Sequence, residues 1–295
     1  IEGETPVEEL QSQVRIYGAG EEPGIHLVPG GDKPLQGYPP RGMAYWELLH
    51  EVLQEEATAE RDRLYMYLAH TLGIERGKPF KPTKAQKAAL MAGVTSGEAV
   101  AKTFVFNERL DGVLRKDGWR VILSGSLPDA FEHTQRVRDF DMLDPRSRFT
   151  YEAITSSPRM GHPIVGRGQA YAGMFEDSDD NRLLGSGKYV MRFNPPPPAE
   201  LFWSVVIYDV ESRTLIVNET KNATIGSRAT PDLQTNEDGS VDVYVGPTPP
   251  HGKESNWVQS VPGRGWFPYV RMYGPGADWF DEDAFALPKI EKTDW

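Results

Sequence analysis

From Gly161 onward the chain consists of seven short segments of β-branched or aromatic residues, divided by turn residues, and nothing else in the sequence constrains the fold as strongly. The segments are Gln169 to Phe175, Lys188 to Phe193, Leu201 to Asp209, Arg213 to Val217, Val241 to Val245, Asn256 to Val261 and Phe267 to Tyr273. That number of short strands predicts an antiparallel β-sandwich of jelly-roll type. Val241, Val243 and Val245 alternate with Asp242 and Tyr244, the mark of a half-exposed strand, whereas LFWSVVIYD is apolar on both faces and belongs at a sheet centre. ESR after Asp209 and EDGS after Asn236 read as hairpin turns, and Pro195 to Pro198 must be a loop because proline cannot join a ladder.

The upstream residues obey other rules. Residues 1–41 form an irregular Pro- and Gly-rich arm in which only Val14 to Tyr17 and Ile25 to Val28 are strand candidates. Residues 42–160 are mainly helical. Trp46, Leu49 and Leu53, and then Leu64, Leu68 and Leu72, recur at helical spacing between charged residues, with Gly73 closing the second helix. Thr83 followed by Gln86 fits a capping box and opens a third helix. Its stripe runs through Leu90, Val94, Gly97, Ala101 and Val105, with Gly97 expected to admit a neighbour closely and the Gly118-Trp119 pair expected to end the helix. Asp144-Pro145 is a helix start and Ser157-Pro158 a stop. The expected class is therefore α+β, with an arm (1–41), a helical region (42–160) and a β domain (161–295).

Composition removes whole classes of function. The 295 residues include no cysteine, which excludes disulfides, thiolate nucleophiles, iron-sulfur clusters and Cys-based zinc sites. With 39% hydrophobic and 25% charged residues the chain has material for a folded, soluble core. The net charge of -11 repels phosphate backbones, so nucleic acid is not an expected partner. The longest apolar stretch, Leu201 to Tyr208, is far below the roughly 20 residues of a membrane span. The chain opens on Ile1 with no readable leader, and the expectation is that a leader or an upstream domain has been removed.

Signature motifs fail on spacing. GSGKY has Arg182 in place of the leading glycine of a phosphate loop and Tyr189 in place of its Ser or Thr, and GRGQAYAG has Tyr171 where a dinucleotide-binding loop needs its third glycine. There is no nucleophile elbow and no zincin helix. The histidines His26, His50, His70, His133, His162 and His251 are scattered, so neither a metal nor a cofactor is expected. Asp177, Asp179 and Asn181 match the start of a calcium loop, but Arg182 and Lys188 then replace its glycine and its bidentate glutamate, which leaves a polar hairpin. Asp139, Asp141 and Asp144 are interleaved with arginines, as on a solvated surface. The sequons at Asn218 and Asn222 matter only in a secretory pathway that glycosylates them.

The most informative constellation is FPYVRMY, where strand alternation puts Phe267, Tyr269, Arg271 and Tyr273 on one face. An arginine among aromatics is costly to bury unless it meets an anion. Either an internal acidic residue pairs with Arg271, or the cation awaits a small ligand that the aromatic walls hold. Tyr189, Asn222, Asn256 and Trp257 lie in neighbouring strands or turns and complete a polar-aromatic set.

The C-terminal half resembles a known family, the domain of unknown function 1214, through GSGKYVMRF, PPAELFWSVVIYD, NETKNATIGSR, LQTNEDGSVDVYVG, ESNWVQSVPG, FPYVRMYGP and the closing ALPKI, in that order. The likeness spans about residues 165–290, and residues 42–115 resemble the linker helices that precede this domain. The family's usual upstream partner, the domain of unknown function 1254, is expected to be largely absent. The resemblance implies a jelly-roll-like sandwich with helices beside it and a periplasmic or secreted setting, but no general reaction. The family's recurring positions fall on Trp203, Asp209, Asn222, Asp238, Gly239, Asn256, Trp257, Arg271 and Tyr273.

Two functions follow as expectations. The first is a cofactor-independent enzyme acting on a small carboxylate-bearing or sugar-like molecule. In it Arg271 clamps the anion, Asn222, Asn256, Trp257 and Tyr269 hold the rest, and Tyr189 or Tyr273 serves as acid or base. The second is a noncatalytic binding or assembly module of the cell envelope. So aromatic a chain is also expected to form a homo-oligomer.

Overall fold

The computed structural model describes residues 38–56, 58, 60–107, 115–122, 136–137, 140–141, 143–153, 163–281 and 283–295. The helices come first: α1 (Met43–Glu55), α2 (Arg63–Thr71) and α3 (Lys84–Phe106). Two short hairpins follow, β1 (Arg115–Lys116) with β2 (Trp119–Ile122) and β3 (Arg136–Val137) with β4 (Phe140–Asp141), and then α4 (Leu143–Ala153). Eight further strands complete the chain: β5 (Gln169–Gly173), β6 (Tyr189–Phe193), β7 (Ala199–Asp209), β8 (Thr224–Gly226), β9 (Val241–Gly246), β10 (Trp257–Gln259), β11 (Trp266–Pro275) and β12 (Ile290–Lys292). The mixed helix-and-strand class is as expected from the sequence. The arm, its two strand candidates and the Ser157-Pro158 stop lie outside the described residues.

β1, β2, β5, β11, β7 and β8 form one sheet in that order, and β10, β9, β6 and β12 form another. β7 and β11 carry the longest apolar runs and accordingly pair with each other inside the first sheet. One buried cluster draws Ala172, Val205, Val270 and Met272 from the first sheet and Met191, Phe193, Val243 and Val258 from the second, so the two sheets share a core. The prediction of purely antiparallel pairing fails at one place. β9 and β10 run parallel, because residues 247–256 carry the chain across before Trp257 aligns with Tyr244.

Other departures have equally local causes. Arg213 to Val217 makes a single bridge, Leu215 to Tyr208, instead of a strand, and Val217 is left exposed. The third helix stops at Phe106. Asp117 and Gly118, at φ 53° and 82°, instead turn the β1–β2 hairpin, the left-handed pair that an Asp-Gly sequence favours. At Gly97 an added Cβ would meet nothing within 4 Å, so this glycine permits no close packing among the described residues. The capping box is present: Thr83 Oγ1 accepts from Gln86 N at 3.3 Å, and Thr83 N donates to Gln86 Oε1 at 2.9 Å.

The helices are fastened to the outer face of the larger sheet by a buried ionic cluster. Arg120 Nη2, from β2, donates to Glu152 Oε1 of α4 at 2.6 Å, and Arg120 Nη1 donates to Val105 O of α3 at 2.9 Å. Val105 lies in the last turn of its helix, where carbonyls lack intrahelical partners and cations are favoured. Tyr269 of β11 donates its hydroxyl to the same Glu152 oxygen. Phe106, Phe175, Phe267 and Tyr208 pack around this cluster ring to ring. Removing one partner of a buried pair strands the other. Arg120→Met should therefore cost about 3–5 kcal/mol in denaturant unfolding, and Arg120→Met with Glu152→Leu should cost less than Arg120→Met alone.

Two buried carboxylates contribute to the acid limit. Burial works to raise the pKa of Asp209, but Arg264 and the Ser212 N–H and hydroxyl outweigh it and bring it below the ordinary value. Arg192 holds Asp242 down in the same way. A lowered folded pKa contributes stability above the unfolded value that is lost as pH falls through the folded one. The melting temperature should thus stay level from neutral pH down to about 5 and drop below about 4.

Candidate functional site

β11 alternates as its sequence requires. Val270 and Met272 enter the core shared by the sheets, while Phe267, Tyr269, Arg271 and Tyr273 face the other way. Cross-strand register then selects their neighbours: Arg271 lies between Tyr171 of β5 and Ser204 of β7, and Tyr273 lies between Gln169 and Phe202. Ser204 is small enough to leave room beside the long arginine, whose guanidinium carbon sits 5.1 Å from the Tyr171 ring centre and 6.0 Å from that of Tyr273. Tyr273 in turn stacks on Phe202 at 4.1 Å, and the exposed Arg228 lies 5.7 Å over Phe202 from its own direction.

No carboxylate pairs with Arg271 among the described residues. Burial works to lower its pKa, but the phenols of Tyr208, Tyr273 and Tyr171 act the other way and the net direction is upward. Tyr171 and Tyr208 are both pushed up, by burial first, with Arg271 opposing. The site is therefore a permanently charged guanidinium set among neutral phenols. Its Nε is buried and has no hydrogen-bond partner among the described residues. An orphaned donor on a half-buried cation is the arrangement that an incoming anion relieves.

The other residues singled out by sequence are placed elsewhere. Tyr189 is in the core between the sheets, edge-on to Trp266 at 5.4 Å, and its hydroxyl accepts from Leu184 N at 3.2 Å. Tyr269 shares the face of Arg271, but its hydroxyl is committed to Glu152, and burial together with that carboxylate raises its pKa well above the usual value. Asn256 is buried, with Oδ1 accepting from Gln234 N at 2.9 Å and Nδ2 donating to Gln234 O at 2.8 Å and Asp242 O at 2.9 Å. Trp257 donates from Nε1 to Gly246 O at 2.9 Å. Asn222 is an exposed turn residue bonded to Asn218 and Thr224. Asp177 Oδ1 accepts from the Asp179 and Asn181 N–H groups at 3.0 and 2.9 Å, so its loop is tied to its own backbone. Among the described residues, no three acidic or histidine side chains gather to hold a metal.

Residues 168–277 match the model of a family described as a protein of unknown function, DUF1214. This segment contains Arg271 and every ring around it. No curated protein matches the chain. Among solved structures, the VPA0106 protein from Vibrio parahaemolyticus is 20% identical, with a TM-score of 0.41, covering 98% of this chain and 62% of its own. An uncharacterized protein from Burkholderia cenocepacia is 13% identical, with a TM-score of 0.37, covering 74% of this chain and 46% of its own. This chain thus spans less than two thirds of either protein's length.

Sequence reasoning did not single out Tyr171, Phe202, Tyr208 or Arg228 as site residues. Alternation along β5 and β7 puts the rings on one face of each strand, but only the register of both against β11 brings them to Arg271. Asn256 ties the loop at Gln234 to β9, so Asn256→Ala should lower stability by about 1–3 kcal/mol in denaturant unfolding, because three backbone groups lose their partners.

Proposed function

We propose that the protein binds a small carboxylate-bearing molecule on the outer face of the larger sheet, with Arg271 as its anchor. The observation that carries this reading is the buried Nε of Arg271, unpartnered among the described residues, in surroundings where those residues supply phenols but no acid. A carboxylate would take up the free donor and neutralise the cation. The Tyr273–Phe202 stack supplies an apolar wall, and Arg228 offers a second, exposed cation, which favours dicarboxylates over monocarboxylates. In a catalytic version of the site, Tyr273 is the hydroxyl available as acid or base. Tyr189 lies across the sheet from Arg271, and Asn222, Asn256 and Trp257 spend their polar groups on the fold. The scaffold we propose is the jelly-roll-type sandwich expected from the strand count, supported by the core common to both sheets.

Thermal-shift measurements with succinate, malonate and glucose test this reading. A dicarboxylate at about 100 times its Kd should stabilise by roughly 2.7 kcal/mol, a rise of several degrees, and glucose should do less. Arg271→Met removes an unpaired cation and should fold at least as well as the parent, yet lose that rise. A rise that persists in Arg271→Met contradicts the anchor.

A second reading, self-association, is supported by the apolar side chains that α1 and α2 expose, namely Leu48, Val52, Leu64, Tyr67 and Leu68. Light scattering across a concentration series should then report a dimer or larger, and Leu64→Glu with Leu68→Glu should return a monomer.

A further inference from the structure

A cleft lies among the helices, and none of the residues that line it surrounds Arg271. Side chains of α1, α3 and α4 enclose a cleft of about 560 Å³, walled by Tyr45, Trp46, Val94, Phe104 and Leu143. That volume falls in the usual range for small-molecule pockets. Gly93 and Gly97, one turn apart on α3, also line it, and an added Cβ at either would meet nothing within 4 Å. A glycine inside a helix costs about 1 kcal/mol relative to alanine, and packing among the described residues gives no reason for that cost here. What the two glycines secure is open space against the helix.

The polar end of the cleft is specific. Arg213 is 9% exposed and lines the cleft, with its guanidinium 3.8 Å from the ring centre of Tyr151. Nε donates to Tyr151 O at 2.9 Å and Nη1 to Glu211 O, while Nη2 has no partner among the described residues. The other charges nearby are matched: Arg41 bonds Glu98 at 2.7 Å and Glu211 at 3.0 Å, and Lys102 also pairs with Glu211. Asp144 lines the cleft as an exposed residue of α4. Arg213 thus adds a buried cation, bonded to no carboxylate among the described residues, to a cleft with mainly apolar walls whose other charged lining residues are Arg41, Glu98 and Asp144.

We propose that this cleft binds an apolar carboxylate, a hydrocarbon or aryl-alkyl body of roughly ten carbons lying along Gly93 and Gly97 with its carboxylate on Nη2 of Arg213. The apolar walls select the body and the unpaired cation selects the head. The site is independent of the Arg271 site and differs from it in the ligand it takes: short and polar there, long and apolar here.

Calorimetric titration with decanoate, decanol and succinate tests the assignment. Decanoate should bind saturably at one site, decanol should bind more weakly, and succinate should not enter. Gly97→Leu fills the cleft while improving helix propensity, so it should melt no lower than the parent and bind decanoate at least about tenfold more weakly. Arg213→Gln should weaken decanoate about tenfold and leave decanol unchanged. Arg271→Met should leave decanoate binding unchanged, which separates this site from the proposed carboxylate anchor. Absence of decanoate binding below its micelle threshold, or undiminished binding in a folded Gly97→Leu, overturns the proposal. Equal loss of decanoate and decanol in Arg213→Gln overturns the placement of the head group.

Discussion

The cluster of Arg120, Glu152 and Tyr269 is the joint on which the arrangement of helices and sheets depends. Four elements meet there: β2 supplies the cation, α4 the carboxylate, β11 the phenol and α3 a carbonyl from its last turn. A buried ion pair contributes little net stability against an apolar alternative, but breaking it by removing one partner is costly. The aromatic packing of Phe106, Phe175, Phe267 and Tyr208 around it supplies the apolar burial, and the ionic contacts fix which helix turn lies over which strand.

This joint divides the outer face of β11 into a sealed end and a half-buried end. Phe267 and Tyr269, toward one end, are sealed beneath α3 and α4. Arg271 and Tyr273, toward the other, are half-buried and keep the cation without an acid. The same strand alternation serves adhesion at one end and, in the proposed reading, recognition at the other, and the difference lies in whether a carboxylate of the chain reaches the polar group. Arg120 meets Glu152, whereas the polar groups that Arg271 meets among the described residues are phenols. Arg213 repeats the second condition in the helical cleft, where backbone carbonyls hold its Nε and Nη1 and leave Nη2 over.

Much of this was legible in the sequence, and all but one of the failures share one physical cause. The capping box at Thr83, the central position of LFWSVVIYD and the common face of Phe267, Tyr269, Arg271 and Tyr273 follow from local periodicity and turn chemistry. Properties that depend on a distant partner did not follow. Arg213 to Val217 has strand-like residues but only one bridging neighbour, and β10 pairs in parallel because of where its loop returns it. Asn256 and Trp257 looked like ligand residues because they are polar and aromatic, yet their hydrogen bonds go to the backbone. Tyr171, Tyr208 and Phe202 reach Arg271 by register alone. The Asp117-Gly118 hairpin was readable, and was obscured by continuing the helical pattern past Phe106.

The central claim is that Arg271 carries an unpaired donor waiting for a carboxylate. The most direct measurement is the arginine Nε–Hε nuclear magnetic resonance spectrum, with the Arg271 signal assigned by its loss in Arg271→Met, followed through a succinate titration. The account predicts that the Arg271 signal moves downfield in proton frequency and saturates, while the signal of Arg192, whose Nε already donates to Asp242 Oδ1 at 2.7 Å, stays in place. An Arg271 signal that does not respond to succinate, or that already has the position of a carboxylate-paired arginine in the free protein, would contradict it.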